Sequence, residues 1–173
     1  MKSEDISRRS FLKRAAALSA AAAIPSFWIP SKANAMPGVP FVSANEKVRI
    51  AFIGIGNRGG EIAQELYKTG LCEVVALCDV DMGAPHTQKL ISMFPKVPRF
   101  QDFRQMFDKM ADKIDAVTVG TPDHSHFPIT IEAMAHGKHV YVEKPMARTF
   151  QEIEVMMRAE KKFGVVTQMG NQG

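Results

Sequence analysis

From residue 47 onward, short apolar runs alternate with longer stretches whose apolar positions recur at helical spacing. The runs fall at 48–54, 74–78, 99–100, 116–120, 139–142 and 165–169 and predict six strands. They are near-continuous in apolar character, which suits strands covered on both faces. Between them, helices show themselves by their ends. Asp102 with Gln105 precedes Met106, Phe107 and Met110, and Thr149 with Glu152 precedes Ile153, Met156 and Met157, both in the capping-box pattern. Gly70, Gly137 and Gly164 stand where helix C-caps belong. The Met and Phe positions read as core stripes that face the sheet. Six strands alternating with five helical segments predict an α/β fold built as a doubly wound parallel sheet.

The first run ends in Gly54-Ile55-Gly56-Asn57-Arg58-Gly59, a G-x-G-x-x-G between a strand and a helical stretch expected over 60–67. In such a turn the first glycine permits the tight bend and the second lets backbone approach a pyrophosphate. The third lets the helix pack closely on the strand, and the helix N-terminus then faces the anion. Asn57 and Arg58, between the second and third glycines, are counted with them as cofactor-binding. Asp79 follows the second run, 20 residues beyond Gly59, where a carboxylate accepts hydrogen bonds from ribose hydroxyls; Asp81 can share that role. A tight turn without a ligand is the bland reading of the glycines alone. With strand, helix and acid in register, they predict a dinucleotide-binding Rossmann domain. A carboxylate beside the adenosine ribose repels a 2′-phosphate, and no Arg or Lys occurs from Val80 to Gln88, so NAD is expected over NADP. FAD shares the fingerprint and is set aside on later residues. The ligand belongs at the C-terminal strand ends, near the switch between first and fourth strands, where the glycine turn, Thr121-Pro122 and Glu143-Lys144-Pro145 fall.

The first 46 residues carry other signals. Ser7-Arg-Arg-Ser-Phe-Leu-Lys13 resembles a twin-arginine export signal, an alanine-rich run from Ala15 to Ile24 follows it, and Ala33-Asn34-Ala35 offers a small-x-small cleavage site. The apolar run is shorter than the about 20 residues that span a bilayer. These signals predict a signal peptide over 1–35, an extended linker over 36–46 and one folded domain over 47–173. They also predict a periplasmic mature protein, with the twin-arginine translocase as its partner during export. The formal charge of +4 belongs to the leader: without residues 1–35 the chain has 16 basic and 16 acidic residues. With that balance, and no basic cluster interleaved with aromatics, neither nucleic acid nor a membrane surface is expected to bind the mature form. Cys72 and Cys78 make no C-x-x-C and read as buried thiols.

Three further motifs follow in order: Thr121-Pro122-Asp123-His124-Ser125-His126, Gly137-Lys138-His139-Val140 and Glu143-Lys144-Pro145. With the glycine turn they resemble the family of glucose-fructose oxidoreductase and inositol dehydrogenase, Gfo/Idh/MocA, over about the whole chain after the leader. The resemblance implies a nicotinamide enzyme that moves a hydride between a carbohydrate or polyol carbon and C4 of the cofactor. At matched positions it makes Lys144 catalytic, beside the nicotinamide and hydrogen-bonded to the reacting hydroxyl. An ammonium there stabilises developing alkoxide charge. Glu143 is expected to orient Lys144 or its loop. Thr121, Pro122 and His126 fall in the loop that lines the cofactor site, with His126 a polar lining or helix-start residue. His124, His126, His136 and His139 are not expected to hold a metal, because no carboxylate or thiol completes a ligand set.

The resemblance also implies a second α/β domain, with an open antiparallel sheet that supplies the substrate pocket and a general base, beyond Gly173. The sequence is therefore expected to be the cofactor half of a longer chain, without turnover by itself. Two other readings stand beside the sugar or polyol oxidoreductase. One is a glycosidase-like enzyme of the same family that uses tightly held NAD for transient oxidation. The other is a dinucleotide-binding module without catalysis. Substrate and oligomeric state are not legible in the residues, and a homo-oligomer stays open.

Overall fold

The structure, a computed structural model, describes residues 47–171. The expected signal peptide and linker lie outside the described residues. Six strands, β1 (Val48–Ile53), β2 (Cys72–Cys78), β3 (Arg99–Phe100), β4 (Ala116–Val119), β5 (His139–Val142) and β6 (Thr167–Met169), form one sheet. Its order is β3-β2-β1-β4-β5-β6, with every neighbouring pair parallel. Five helices connect and cover it: α1 (Asn57–Lys68), α2 (Pro85–Met93), α3 (Phe103–Met110), α4 (His126–Ala135) and α5 (Phe150–Phe163). The expected doubly wound sheet is present, and its order reverses between β1 and β4, where such sheets bind ligands.

The continuous apolar runs are explained by burial on two faces. Ile50 and Phe52 of β1 join Val74, Leu77, Leu90 and Phe94 in one core. Ala51 and Ile53, turned the other way by the period-two alternation, join Ala76, Val117, Val119 and Met134 in the second. The β1–β2 register shifts between Ile50 and Ala51, so that Val75 is passed over. Val75 and Ala76 then both meet the second core, a bulge that no sequence signal marks.

The element ends differ slightly from expectation. Around Thr149 the capping box is complete: the Glu152 N–H donates to Thr149 Oγ1 at 3.2 Å, and the Thr149 N–H donates to Glu152 Oε2 at 3.1 Å. Asp102 caps α3 by accepting from the Arg104 N–H at 2.9 Å, without a reciprocal bond from Gln105. Its carboxylate lies instead 3.5 Å from the Arg104 guanidinium, which supplies the second partner. α1 begins at Asn57, three residues earlier than expected, because Gly56 takes an extended N-cap conformation directly after the turn. β6 begins only at Thr167, since the Val165 N–H is spent on the Glu160 carbonyl beyond α5.

One ion cluster fastens the N-terminal ends of the strands. The Asp115 carboxylate, 2% exposed, accepts from the Arg49 backbone N–H at 2.8 Å, from Nε at 3.0 Å and from Nη2 at 2.6 Å. Burial pushes its pKa up, but the Arg49 hydrogen bonds and charge outweigh burial and hold the carboxyl below the ordinary range. Nearby, burial pulls the Lys138 ammonium down, opposed in part by Asp115. The Val166 N–H donates to His139 Nδ1 at 2.9 Å, and burial lowers the pKa of that ring.

Candidate functional site

At the opposite edge, the loops after β1, β4 and β5 converge. Gly54 adopts φ +78°, and its N–H donates to the Cys78 carbonyl at 2.8 Å. A Cβ on Gly54 would lie 2.5 Å from the Thr121 nitrogen, one on Gly59 would collide with the Gly54 carbonyl, and one on Gly120 would lie 2.6 Å from the Gly59 Cα. Three backbones therefore touch with no room for side chains, which brings β1, α1 and the β4 loop to their shared corner. Gly120 was missed as a site residue: it ends an apolar run and reads as strand. Asn57, the first residue of α1, takes φ +41°, a region that Asn tolerates better than most residues.

A cleft of about 560 Å³ opens above this corner. Gly54, Gly56, Asn57 and Arg58 form one wall, Asp79, Val80 and Asp81 a second, and Thr121, Pro122 and His124 a third. Asp79 Oδ2 accepts from the Ile55 N–H at 2.9 Å and Oδ1 from the Asp81 N–H at 3.0 Å, so the carboxylate ties the glycine turn to the end of β2. Each oxygen keeps further acceptor capacity for a ligand hydroxyl. Cys78 lines the cleft as a free thiol whose pKa is pushed up to about 12, by burial first and then by Asp79 and Asp102. It stays protonated and is no nucleophile. Thr121 Oγ1 is buried without a hydrogen-bond partner among the described residues.

The motif after β5 stands apart from the cleft walls. Lys144 is exposed, and its ammonium has no partner among the described residues. Glu143 is 5% exposed, and its Oε2 accepts from the Lys144 backbone N–H at 3.3 Å. Its Oε1 has no hydrogen bond among the described residues, lies 3.7 Å from Arg58 Nε, and is covered by Gly170, where a Cβ would come within 2.5 Å of it. Glu143 thus holds the loop by its backbone and leaves the Lys144 ammonium untouched.

His126 takes the second of the two roles expected for it. It begins α4 as expected, but it is 1% exposed and does not line the cleft. Its Nδ1 lies 2.7 Å from the Pro145 carbonyl and its Nε2 2.7 Å from the Thr121 carbonyl. Both partners are carbonyl acceptors, so the ring nitrogen that carries the hydrogen donates to the carbonyl it faces. The short 3₁₀ turn Asp123–Ser125 leaves His124 and Ser125 on the cleft and His126 inside, where it links the loops after β4 and β5. The other histidines go elsewhere. His136 pairs with Glu132 at 3.4 Å and stacks on Phe107 with ring centroids 5.0 Å apart, and His139 accepts from Val166. Among the described residues, no group of three or more His, Cys, Asp or Glu is placed to hold a metal.

This corner has the parts a dinucleotide needs: a glycine turn leading into a helix whose first turn holds no acid, a carboxylate at the end of β2, and an unpartnered buried hydroxyl. Fold and site together define a dinucleotide-binding Rossmann domain. The chain belongs to the Gfo/Idh/MocA oxidoreductase family, NAD-binding Rossmann fold, whose family model matches residues 48–171. An α-N-acetylgalactosaminidase of Shewanella oneidensis is 31% identical over 164 residues, which cover 86% of this chain and 35% of that protein. Among solved structures, myo-inositol 2-dehydrogenase of Lactobacillus plantarum is 26% identical with a TM-score of 0.64, over 72% of this chain and 36% of that one. The WlbA dehydrogenase of Chromobacterium violaceum, in complex with NADH and UDP-GlcNAcA, shares the fold with a TM-score of 0.65 at 24% identity, over 78% of this chain and 38% of that one. The chain spans about a third of the length of the curated relatives it matches.

Proposed function

We propose that this chain is the NAD-binding part of an enzyme that moves a hydride between nicotinamide and a hydroxyl-bearing carbon of a carbohydrate or polyol. The observation that carries the reading is the Lys144 ammonium: exposed, unpaired among the described residues, and set on the strand edge that bears the cofactor cleft. When bound, NAD supplies the hydride acceptor or donor. The glycine turn and the N-terminus of α1 hold its pyrophosphate, and the remaining acceptor capacity of Asp79 serves the adenosine ribose. Lys144 donates a hydrogen bond to the reacting hydroxyl and stabilises the alkoxide as charge develops. Glu143 and His126 fix the loop that carries it, through the Lys144 N–H and the Pro145 carbonyl.

Hydride transfer requires reacting atoms held about 3–3.5 Å apart, and such positioning lowers a barrier by roughly 7–11 kcal/mol. A single lysine cannot hold a sugar in that way, so the 173-residue chain is expected to bind NAD without turnover. In the full-length enzyme, Lys144→Ala should lower kcat on the order of 100-fold or more, with NAD affinity nearly intact. Unchanged turnover would remove Lys144 from the chemistry and favour a module that only binds the dinucleotide.

A second reading is favoured by the name of the curated relative, an α-N-acetylgalactosaminidase. In it, the hydride taken from a sugar carbon returns within the same turnover, so a glycoside is cleaved with no net change in NAD. Sugar release from an N-acetylgalactosaminide without NADH accumulation would select this reading, and stoichiometric NADH the first. We also propose that Arg8 and Arg9 address the chain to the twin-arginine route. Processing and export that persist after both become Lys would rule that out.

A further inference from the structure

His86, the second residue of α2, is exposed and lies at the cleft, yet neither the glycine turn nor the later motifs include it. Its imidazole rests on Gly56. A Cβ built on Gly56 would collide with the ring Cδ2 and would lie 2.8 Å from Nε2 and 3.3 Å from Cγ. Gly54 and Gly59 are glycine because backbone packs there against backbone, whereas Gly56 meets a side chain. The space above the second glycine is the one the turn keeps clear for a pyrophosphate. A ring nitrogen therefore stands where that anion approaches.

The charges around it show which group is free to answer a phosphate. Asp79 and Asp81 face the cleft from the end of β2 and repel one. Arg58 faces it from α1, but its guanidinium is committed to Glu61 at 2.9 Å and lies 3.7 Å from Glu143. His86 makes no hydrogen bond among the described residues, and its exposed side chain can turn about its own torsions. We propose that His86 is a cofactor-binding residue: the ring turns off Gly56, and its Nε2–H donates to a pyrophosphate oxygen of the dinucleotide. It then closes the α2 side of the cleft over the phosphates that the α1 N-terminus holds from the other side.

The inference rests on NAD occupying this cleft, and the test separates the two. NAD and ADP-ribose are titrated calorimetrically into the 173-residue chain and its His86→Ala and His86→Gln variants, and adenosine binding is followed by NMR. His86→Ala should weaken NAD and ADP-ribose about tenfold, the scale of one hydrogen bond to a charged group. Adenosine, which has no phosphate, should bind all three proteins alike, and His86→Gln, which keeps an N–H donor, should recover most of the loss. Unchanged or tighter NAD binding by His86→Ala would overturn the proposal and make the ring an obstacle or a bystander. So would an equal loss for adenosine, which would mean a distorted cleft. If the unaltered chain bound none of the three, the cofactor site itself would be misplaced and the proposal would fall with it.

Discussion

At the N-terminal ends of β1 and β4, the Asp115 carboxylate takes three hydrogen bonds from Arg49 and has Lys138 nearby. At the C-terminal ends of β4 and β5, Thr121 Oγ1 and Glu143 Oε1 are buried without a hydrogen bond among the described residues, Glu143 Oε1 having only Arg58 Nε at 3.7 Å, and the exposed Lys144 ammonium is unpaired among them. Both ends belong to one sheet and bury polar atoms among the same apolar strands. Buried polar groups without partners cost stability, and the Thr121 hydroxyl is one that stands on the wall of the cleft, where a ligand can use it. The first end holds the strands together, and the second is built for a guest.

The comparison predicts that stability and binding can be altered separately. Asp115→Ala should lower the free energy of unfolding by about 2–3 kcal/mol, less than for a fully buried pair because Arg49 is partly exposed, and leave the NAD affinity of the folded chain unchanged. Urea unfolding read beside an NAD titration checks this, and an affinity that falls with the stability would erase the distinction between the ends. His126→Ala should cost about 2 kcal/mol, since the Thr121 and Pro145 carbonyls lose the ring that joins them. Unlike Asp115→Ala, it should also weaken NAD binding, because it frees Thr121 on the cleft wall.

A smaller effect follows from pH. The pKa of His139 is lower folded than unfolded, so its contribution is full above the ordinary histidine value of about 6.5 and is lost as pH falls from there toward the folded value. Asp115 is likewise depressed, and its contribution, present above about 3.9, is lost as pH falls through its folded pKa. The urea midpoint should therefore decline in two stages on acidification. His139→Asn should remove the upper stage alone; a decline identical in the two proteins would assign the change to other groups.

Features governed by a few consecutive residues were legible in the sequence. The Thr149 capping box, the glycine turn and the six apolar runs each depend on spacings along the chain, and each forms the element expected of it, with β2 beginning two residues earlier and β6 two residues later. What was missed depends on partners far apart. His126 finds its second carbonyl 19 residues away, across the sheet edge, so nothing local marks it as a buried clamp. Gly120 is glycine because Gly59 packs against it, and His86 matters only because α2 brings it onto Gly56. Asp79 was read from its position after β2, but its grip on the Ile55 N–H comes from the turn folding back over it. The opposite end was no more legible: Arg49 and Asp115 are 66 residues apart, and nothing local marks them as partners.

Parallel calorimetric titrations of NAD and NADP into the unaltered chain and into Asp79→Ala test the central claim most directly, that this edge binds NAD with Asp79 at the adenosine ribose. The account predicts tighter binding of NAD than of NADP by the unaltered chain, and a narrower difference in Asp79→Ala, where the carboxylate no longer repels a 2′-phosphate. Equal or stronger NADP binding by the unaltered chain would contradict it.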